Sequence, residues 1–186
     1  AMVAQQAGAH RIEFCENPEE GGTTPSSGAL RLIKGKITIP VFPIIRPRGG
    51  DFFYTEDEFS IMRQDILLCR DLGFEGVVTG MLLQDGNIDM TGTKKLVDIA
   101  YPMEVTFHRA FDRCIDPMKS LEAVIKSGCQ RILTSGQFPS AIDGAGLIKR
   151  LVEAADDRII IMPGSGVKSE NIGQLAQMTG ASEFHA

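Results

Sequence analysis

The chain has 186 residues, of which 43% are hydrophobic and 23% are charged, and its formal net charge is −5. This composition is typical of one globular domain with a sizeable core, and the acidic balance argues against a nucleic-acid surface. No apolar run approaches the roughly 20 residues of a membrane span, so no membrane partner is expected. Four widely spaced cysteines without a Cys-x-x-Cys pair predict reduced thiols in a cytoplasmic protein.

Short apolar strands alternate with helices along the whole chain. Nearly continuous apolar strands that are separated by helices are typical of a parallel sheet with right-handed crossovers. The predicted strands are His10–Cys15, Val41–Pro47, Gly76–Leu82, the segment that begins at Glu104, Arg131–Gly136, Arg158–Met162 and Ser182–His185.

Caps and glycines mark the helices between these strands. Thr55 and Glu58 have the spacing of a capping box, which predicts the start of an amphipathic helix that ends at Gly73. The opening residues, Ala1–Ala9, have the pattern of the last part of a helix. Further helices are predicted from Ser26 or Ser27 to Lys34, from Asp89 or Thr91 to Ile99, and over Pro117–Ser127, Ile142–Ala155 and Ser169–Met178.

Seven strands that follow part of a helix predict a TIM-like (β/α)₈ barrel, an α/β fold in which one strand precedes the chain. We expect a single domain over residues 1–186, with the first strand and the last helix lying outside it. An open, doubly wound sheet is the alternative fold.

Polar residues gather where the predicted strands end, which is where TIM barrels carry their functional groups. The mixture of acid, base, cation and hydroxyl is typical of a site for a small anionic ligand. The candidate catalytic residues, if the protein is an enzyme, are Glu13, Arg46, His108 and Asp112. The candidate anion ligands are Arg46, Arg48, Thr79, Ser135, Gly164, Ser165 and Gly166.

Most of these candidates also have a purely structural interpretation. Glu13 and Arg46 could pair inside the barrel, because buried charges need partners. His108 could serve only to hydrogen-bond the backbone. Arg109 is expected to brace a loop, and Arg48-Gly-Gly-Asp51 is interpreted as a turn in preference to an anion-binding nest.

The Gly164-Ser165-Gly166 loop and the last strand carry weaker signals. The loop could offer backbone N–H groups to a phosphate, but glycines also serve tight turns. Glu183 and His185 share one face of the last strand, and a pair at this spacing is not specific for a metal.

Cys15 differs from the other thiols because it shares a strand face with Glu13 at a strand end. A thiolate there could bind a soft ion such as Cu(I). Two-coordinate copper needs a second soft ligand, from Cys114 or from a cysteine of a preceding strand. The alternative is a buried thiol with no ligand role.

Six motifs, distributed in order over the whole chain, resemble those of the CutC family of copper homeostasis proteins. They are Gly8–Cys15, Glu20–Pro25, Ile44–Phe52, Val105–Asp112, Arg131–Gly136 and Ile161–Gly166. Ile-Arg-Pro-Arg-Gly-Gly and Thr-Phe-His-Arg-Ala-Phe-Asp are the longest and most specific.

The resemblance implies a cytoplasmic TIM-like barrel that forms a homo-oligomer, a dimer or a tetramer, and binds Cu(I) without an organic cofactor. The family's soft ligand falls on Cys15, and its companion belongs to the first strand of the family. Pro163-Gly-Ser-Gly166 departs from the commoner Pro-Gly-Gly-Gly form.

Three functions are compatible with these residues. The first, which we adopt, is copper homeostasis through Cu(I) bound by Cys15. The second is an enzyme that performs acid/base chemistry on a small phosphorylated or carboxylated metabolite. The third is a partner-binding scaffold whose polar strand ends are structural.

Overall fold

The computed structural model describes residues 1–186, which fall into two compact units. Unit 1 comprises residues 1–79 and 95–105, and unit 2 comprises residues 80–94 and 106–186. The strands are β1 Ile12–Phe14, β2 Val41–Pro43, β3 Gly76–Thr79, β4 Glu104–Phe107, β5 Arg131–Thr134 and β6 Ile160–Pro163. The helices are α1 Met2–Gln6, α2 Ser27–Lys34, α3 Glu56–Asp71, α4 Met90–Ala100, α5 Pro117–Ser127, α6 Ala145–Ala155 and α7 Ile172–Thr179.

Unit 1 is built on parallel strands that are joined through helices. Strands β1 and β2 pair with Ile12 opposite Val41. Beyond the end of β2, the Ile45 N–H donates to the Val78 carbonyl oxygen of β3 at 2.7 Å. All residues of β2 and β3 are buried, which explains their unbroken apolar sequences.

Helix α3 begins at the capping box that the sequence predicts. The Thr55 hydroxyl accepts from the Glu58 N–H at 3.2 Å, and the Glu58 carboxylate accepts from the Thr55 N–H at 2.8 Å. These two bonds satisfy N–H groups that have no partner within the helix. Met62, Ile66 and Cys69 form the buried face, so the predicted amphipathic helix is confirmed.

Unit 2 contains the pairing of β4, β5 and β6. Thr106 of β4 lies opposite Arg131 of β5, and four consecutive residues of β5 pair in parallel with β6. Every residue of β5 is buried. Asp116 caps α5 by accepting from the N–H groups of Met118 and Lys119, both at 3.1 Å.

The predicted parallel α/β architecture is confirmed, but several predicted boundaries are wrong. Strand β2 ends at Pro43, before the predicted end at Pro47, and beyond it the pairing continues only as an isolated parallel bridge between Ile44 and Val78. The predicted last strand, Ser182–His185, forms only an isolated bridge between Gly164 and His185. Strands β1, β3 and β5 also end earlier than expected, while α6 and α7 each begin three residues later than expected. No helix is long and apolar enough to cross a lipid bilayer.

Candidate functional site

Cys15 directly follows strand β1 in unit 1, and its side chain is half-buried. Burial raises the pKa of the thiol, and the negative charges of Glu13 and Glu19 raise it further. Gly22, at a φ of +87°, lies against the thiol, since a Cβ there would fall 3.3 Å from Sγ. The thiol is therefore protonated at neutral pH, because burial and the two carboxylates all disfavour the thiolate.

Arg46, which follows β2, is 3% exposed and makes its hydrogen bonds to the backbone. Nη1 donates to the carbonyl oxygens of Glu20 and Gly22 at 2.7 and 3.0 Å, and Nη2 donates to that of Gly50 at 2.7 Å. The guanidinium also lies 4.8 Å from the centre of the Phe52 ring. Arg46 therefore braces two loops of unit 1, at residues 20–22 and at residue 50.

Arg48 closes the turn that follows Arg46. Nε donates to Glu58 Oε1 at 2.5 Å, and Nη2 donates to Asp51 Oδ1 at 3.1 Å and to the Phe53 carbonyl oxygen at 2.8 Å. Because Glu58 is also the capping-box residue of α3, Arg48 ties the turn to the start of that helix.

Thr79, at the end of β3, is fully buried. Its hydroxyl donates to the Ile45 carbonyl oxygen at 3.1 Å. This bond connects the end of β3 to the segment that follows β2, so the hydroxyl has a structural partner within unit 1.

His108 follows β4 in unit 2 and is 4% exposed. Its Nδ1 accepts from the Ala110 N–H at 3.2 Å, which caps the short 3₁₀ turn Arg109–Arg113. In the neutral imidazole the proton therefore lies on Nε2. Gly80 packs against the ring, because a Cβ at that position would fall 2.7 Å from Nδ1.

Asp112 organises the loop that follows β5. Its side chain is 6% exposed and accepts from the Thr134 hydroxyl at 2.5 Å, from the Ser135 N–H at 3.0 Å and from the Gln137 N–H at 3.2 Å. Its other partner is the Arg109 Nε, at 2.8 Å from Oδ2. The carboxylate therefore fixes the end of β5 and the loop after it.

Ser135, the first residue after β5, is fully buried and contacts Arg109. Its Oγ accepts from Arg109 Nη2 at 2.9 Å and lies 2.5 Å from the carbonyl oxygen of Phe138. Arg109, interpreted from the sequence as a loop brace, does contact the loop, but 44% of its side chain is exposed.

The Gly164–Gly166 loop is tied to the loop after β5. The Gly164 N–H donates to the Thr134 carbonyl oxygen at 2.9 Å, and the Ser165 hydroxyl donates to that of Pro139 at 2.8 Å. Ser165 adopts a φ of +79°, a conformation that favours glycine. Helix α7 begins at Ile172 and not at Ser169 as predicted, so its N-terminus lies further from the glycines than expected.

The structure therefore brings together two groups of predicted residues, each within one unit. Cys15 and Glu13 interact electrostatically in unit 1, and Asp112 and Ser135 are hydrogen-bonded in unit 2. Arg109 joins the second group, and its Arg-x-x-Asp spacing after a strand is the signal that could have identified it. No three His, Cys, Asp or Glu side chains are grouped so that they could hold a metal ion.

Comparison with known proteins decides the family. The sequence profile described as "CutC family" matches residues 1–186. The chain belongs to the CutC family. A CutC family protein from Chromobacterium violaceum is 51% identical over 185 residues, which cover 100% of this chain and 75% of the relative. A human relative named "Copper homeostasis protein cutC homolog" is 48% identical over 100% of this chain and 68% of its own length.

Solved structures confirm the predicted TIM-like α/β fold class. A crystal structure of a copper homeostasis protein CutC from Streptococcus agalactiae is similar with a TM-score of 0.92 and 36% identity, covering 97% of this chain and 89% of that one. An aldolase is similar with a TM-score of 0.75 over 98% of this chain and 79% of its own, at 12% identity. At that identity the aldolase shows the fold alone.

Proposed function

We propose that this CutC-family protein acts in copper homeostasis in the cytoplasm and binds Cu(I) through the thiol of Cys15. The observation that carries the proposal is a half-buried thiol that directly follows β1 and feels the negative charges of Glu13 and Glu19. A soft thiolate suits Cu(I), and the negative charges of Glu13 and Glu19, which raise the pKa of the thiol, would also attract a cation.

Copper binding at Cys15 must displace the thiol proton, because the thiolate is the ligand. The raised pKa of Cys15 therefore makes the proposed affinity dependent on pH. Below the thiol pKa, each pH unit should change the affinity by about tenfold for one released proton. Such a slope would distinguish binding by Cys15 from adventitious binding at carboxylates.

The test is a competition titration of Cu(I) against a chromophoric chelator, under reducing conditions. We expect the wild-type protein to withdraw copper from the chelator and Cys15→Ser to lose at least about tenfold in affinity, since serine lacks the soft donor. Cys129→Ser is the matched control, because burial raises the pKa of Cys129 to about 12 and its side chain is 5% exposed. Equal affinity in the wild type and Cys15→Ser would contradict the proposal.

A second candidate function is acid/base catalysis on a small phosphorylated or carboxylated metabolite. The observation that favours it is His108, a buried imidazole at the end of β4 whose Nδ1 is held by the Ala110 N–H. A histidine in a fixed tautomer is suited to move a proton at Nε2. His108 would be the proton-transfer group, and Asp112 and Ser135 would hold the adjoining loop.

The test of this candidate is a thermal-shift screen with phosphorylated and carboxylated metabolites, followed by an assay for their conversion. A metabolite that raises the melting temperature and is converted by the wild type but not by His108→Gln would support it. His108→Gln is used because the glutamine side chain can still accept a hydrogen bond. A screen in which no metabolite changes the melting temperature would count against catalysis and leave the copper proposal untouched.

A further inference from the structure

We infer that Arg109 forms an oxyanion-binding site at the end of β4, with the outward edge of its guanidinium as the donor for a carboxylate or a phosphate group. Arg46 is one of the anion ligands that the sequence predicts. That guanidinium is 3% exposed and bonds three backbone carbonyl oxygens, whereas 44% of the Arg109 side chain is exposed.

The two hydrogen bonds that Arg109 donates within the protein leave one edge of its guanidinium for a ligand. Nε donates to Asp112 Oδ2 at 2.8 Å, and Nη2 donates to Ser135 Oγ at 2.9 Å. No hydrogen bond in the structure involves Nη1, and Nη2 has a second N–H. These two groups form the end of the guanidinium, whose planar geometry matches the two oxygens of a carboxylate or phosphate.

The groups that hold Arg109 are themselves fixed, so the guanidinium is oriented before a ligand arrives. Asp112 accepts from Thr134, Ser135 and Gln137 in addition to Arg109. Ser135 is fully buried and contacts the backbone of Phe138. A cation that is already oriented loses less conformational entropy on binding, and binding is correspondingly stronger.

The charge of Asp112 does not cancel that of Arg109 completely. The carboxylate accepts hydrogen bonds from Thr134, Ser135 and Gln137 as well as from the arginine. Its negative charge is therefore spread over four partners, and part of the positive charge of the guanidinium remains available to an anion in the solvent. Because 44% of the Arg109 side chain is exposed to solvent, the site suits an oxyanion that binds reversibly.

The first experiment uses wild-type protein and needs no substitution. Phenylglyoxal modifies accessible arginines, and mass spectrometry of the peptides gives the modification rate at each one. Arg113 is the internal control, because it is exposed and lies on the same 3₁₀ turn. We expect inorganic phosphate, and separately malonate, to slow modification of Arg109 but not of Arg113, each against chloride at equal ionic strength. Equal protection of both arginines, or of neither, would overturn the inference.

The second experiment measures phosphate binding by calorimetry in matched variants. Arg109→Lys retains the charge but loses the two-pronged donor, so the dissociation constant should rise roughly tenfold. Arg113→Lys, with the same chemical change on the same turn, should leave it within about twofold. An unchanged dissociation constant in Arg109→Lys would reject the site, and comparison of phosphate with malonate tells which oxyanion it prefers.

This inference deepens the second candidate function, because it names the group that would hold the anion, but it is measured without turnover. Selective protection of Arg109 in a protein that converts no metabolite would retain the site and reject catalysis. Metabolite conversion without protection of Arg109 would retain catalysis and reject the site. Neither result depends on copper.

Discussion

Two arginines that follow strands, Arg46 in unit 1 and Arg109 in unit 2, have opposite environments. Arg46 is almost fully buried and is held by backbone carbonyl oxygens. Arg109 is held by a carboxylate and a hydroxyl, and 44% of its side chain is exposed. The comparison teaches that an arginine at a strand end can bind a ligand only if its contacts within the protein leave N–H donors that reach solvent.

The largest effect is expected at Asp112, on which the environment of Arg109 depends. Asp112→Ala removes the acceptor for Thr134, Ser135, Gln137 and Arg109. The free energy of unfolding should fall by about 3–5 kcal/mol, because buried donors lose their partner. Urea denaturation measures the loss. A change below about 1 kcal/mol would show that water replaces the carboxylate and that the loop is not fixed by it.

The comparison between the two arginines is tested directly by replacing each with methionine. Arg46→Met should lower the free energy of unfolding by about 3 kcal/mol, because three carbonyl oxygens lose a charged donor. Arg109→Met should cost about 1 kcal/mol or less, since 44% of the arginine side chain is exposed and Asp112 keeps its bonds to Thr134 and the backbone. Urea denaturation of both variants checks the order. The reverse order would mean that Arg109 is the structural brace.

A smaller contrast separates the turns of the two units. Gly50 of unit 1 has a φ of +81°, and Ser165 of unit 2 has a φ of +79°. Ser165→Gly relieves the left-handed conformation but loses the bond to Pro139, so a net gain of about 0.5 kcal/mol is expected. Gly50→Ser should lose about 1 kcal/mol. Thermal unfolding with both variants checks the signs, and a loss in Ser165→Gly would show that the hydroxyl bond outweighs the strain.

The smallest effect on stability concerns the partly exposed ion pair of Arg48 and Glu58 in unit 1. The backbone bond from Thr55, and then the bond from Arg48, lower the pKa of Glu58 below its ordinary value of 4.5. The stability from this group is therefore present above pH 4.5 and is lost as the pH falls through the lowered pKa. Glu58→Gln should remove this part of the acid dependence of the melting temperature between pH 7 and about 3. Identical acid profiles in the two proteins would contradict it.

Much of the fold could be predicted from local sequence patterns. The capping box at Thr55 and Glu58, and the glycine stop at Gly128, specify helix ends through contacts between residues close in sequence. Strand ends were predicted less well, because the pairing of a strand depends on distant residues. The segment Ser182–His185 has a strand-like pattern, yet only a single bridge forms there.

The sequence by itself determined the family, the parallel α/β class and the residue types at the strand ends. Those features depend on composition, on the periodicity of hydrophobic residues and on motifs that are continuous in the chain. Only the tertiary structure decided which groups accept the hydrogen bonds that each arginine donates. Arg46 and Arg109 have the same chemistry, but their partners lie up to 26 residues away and their exposure differs. Which donors remain for a ligand depends on those long-range contacts, and no local pattern encodes them.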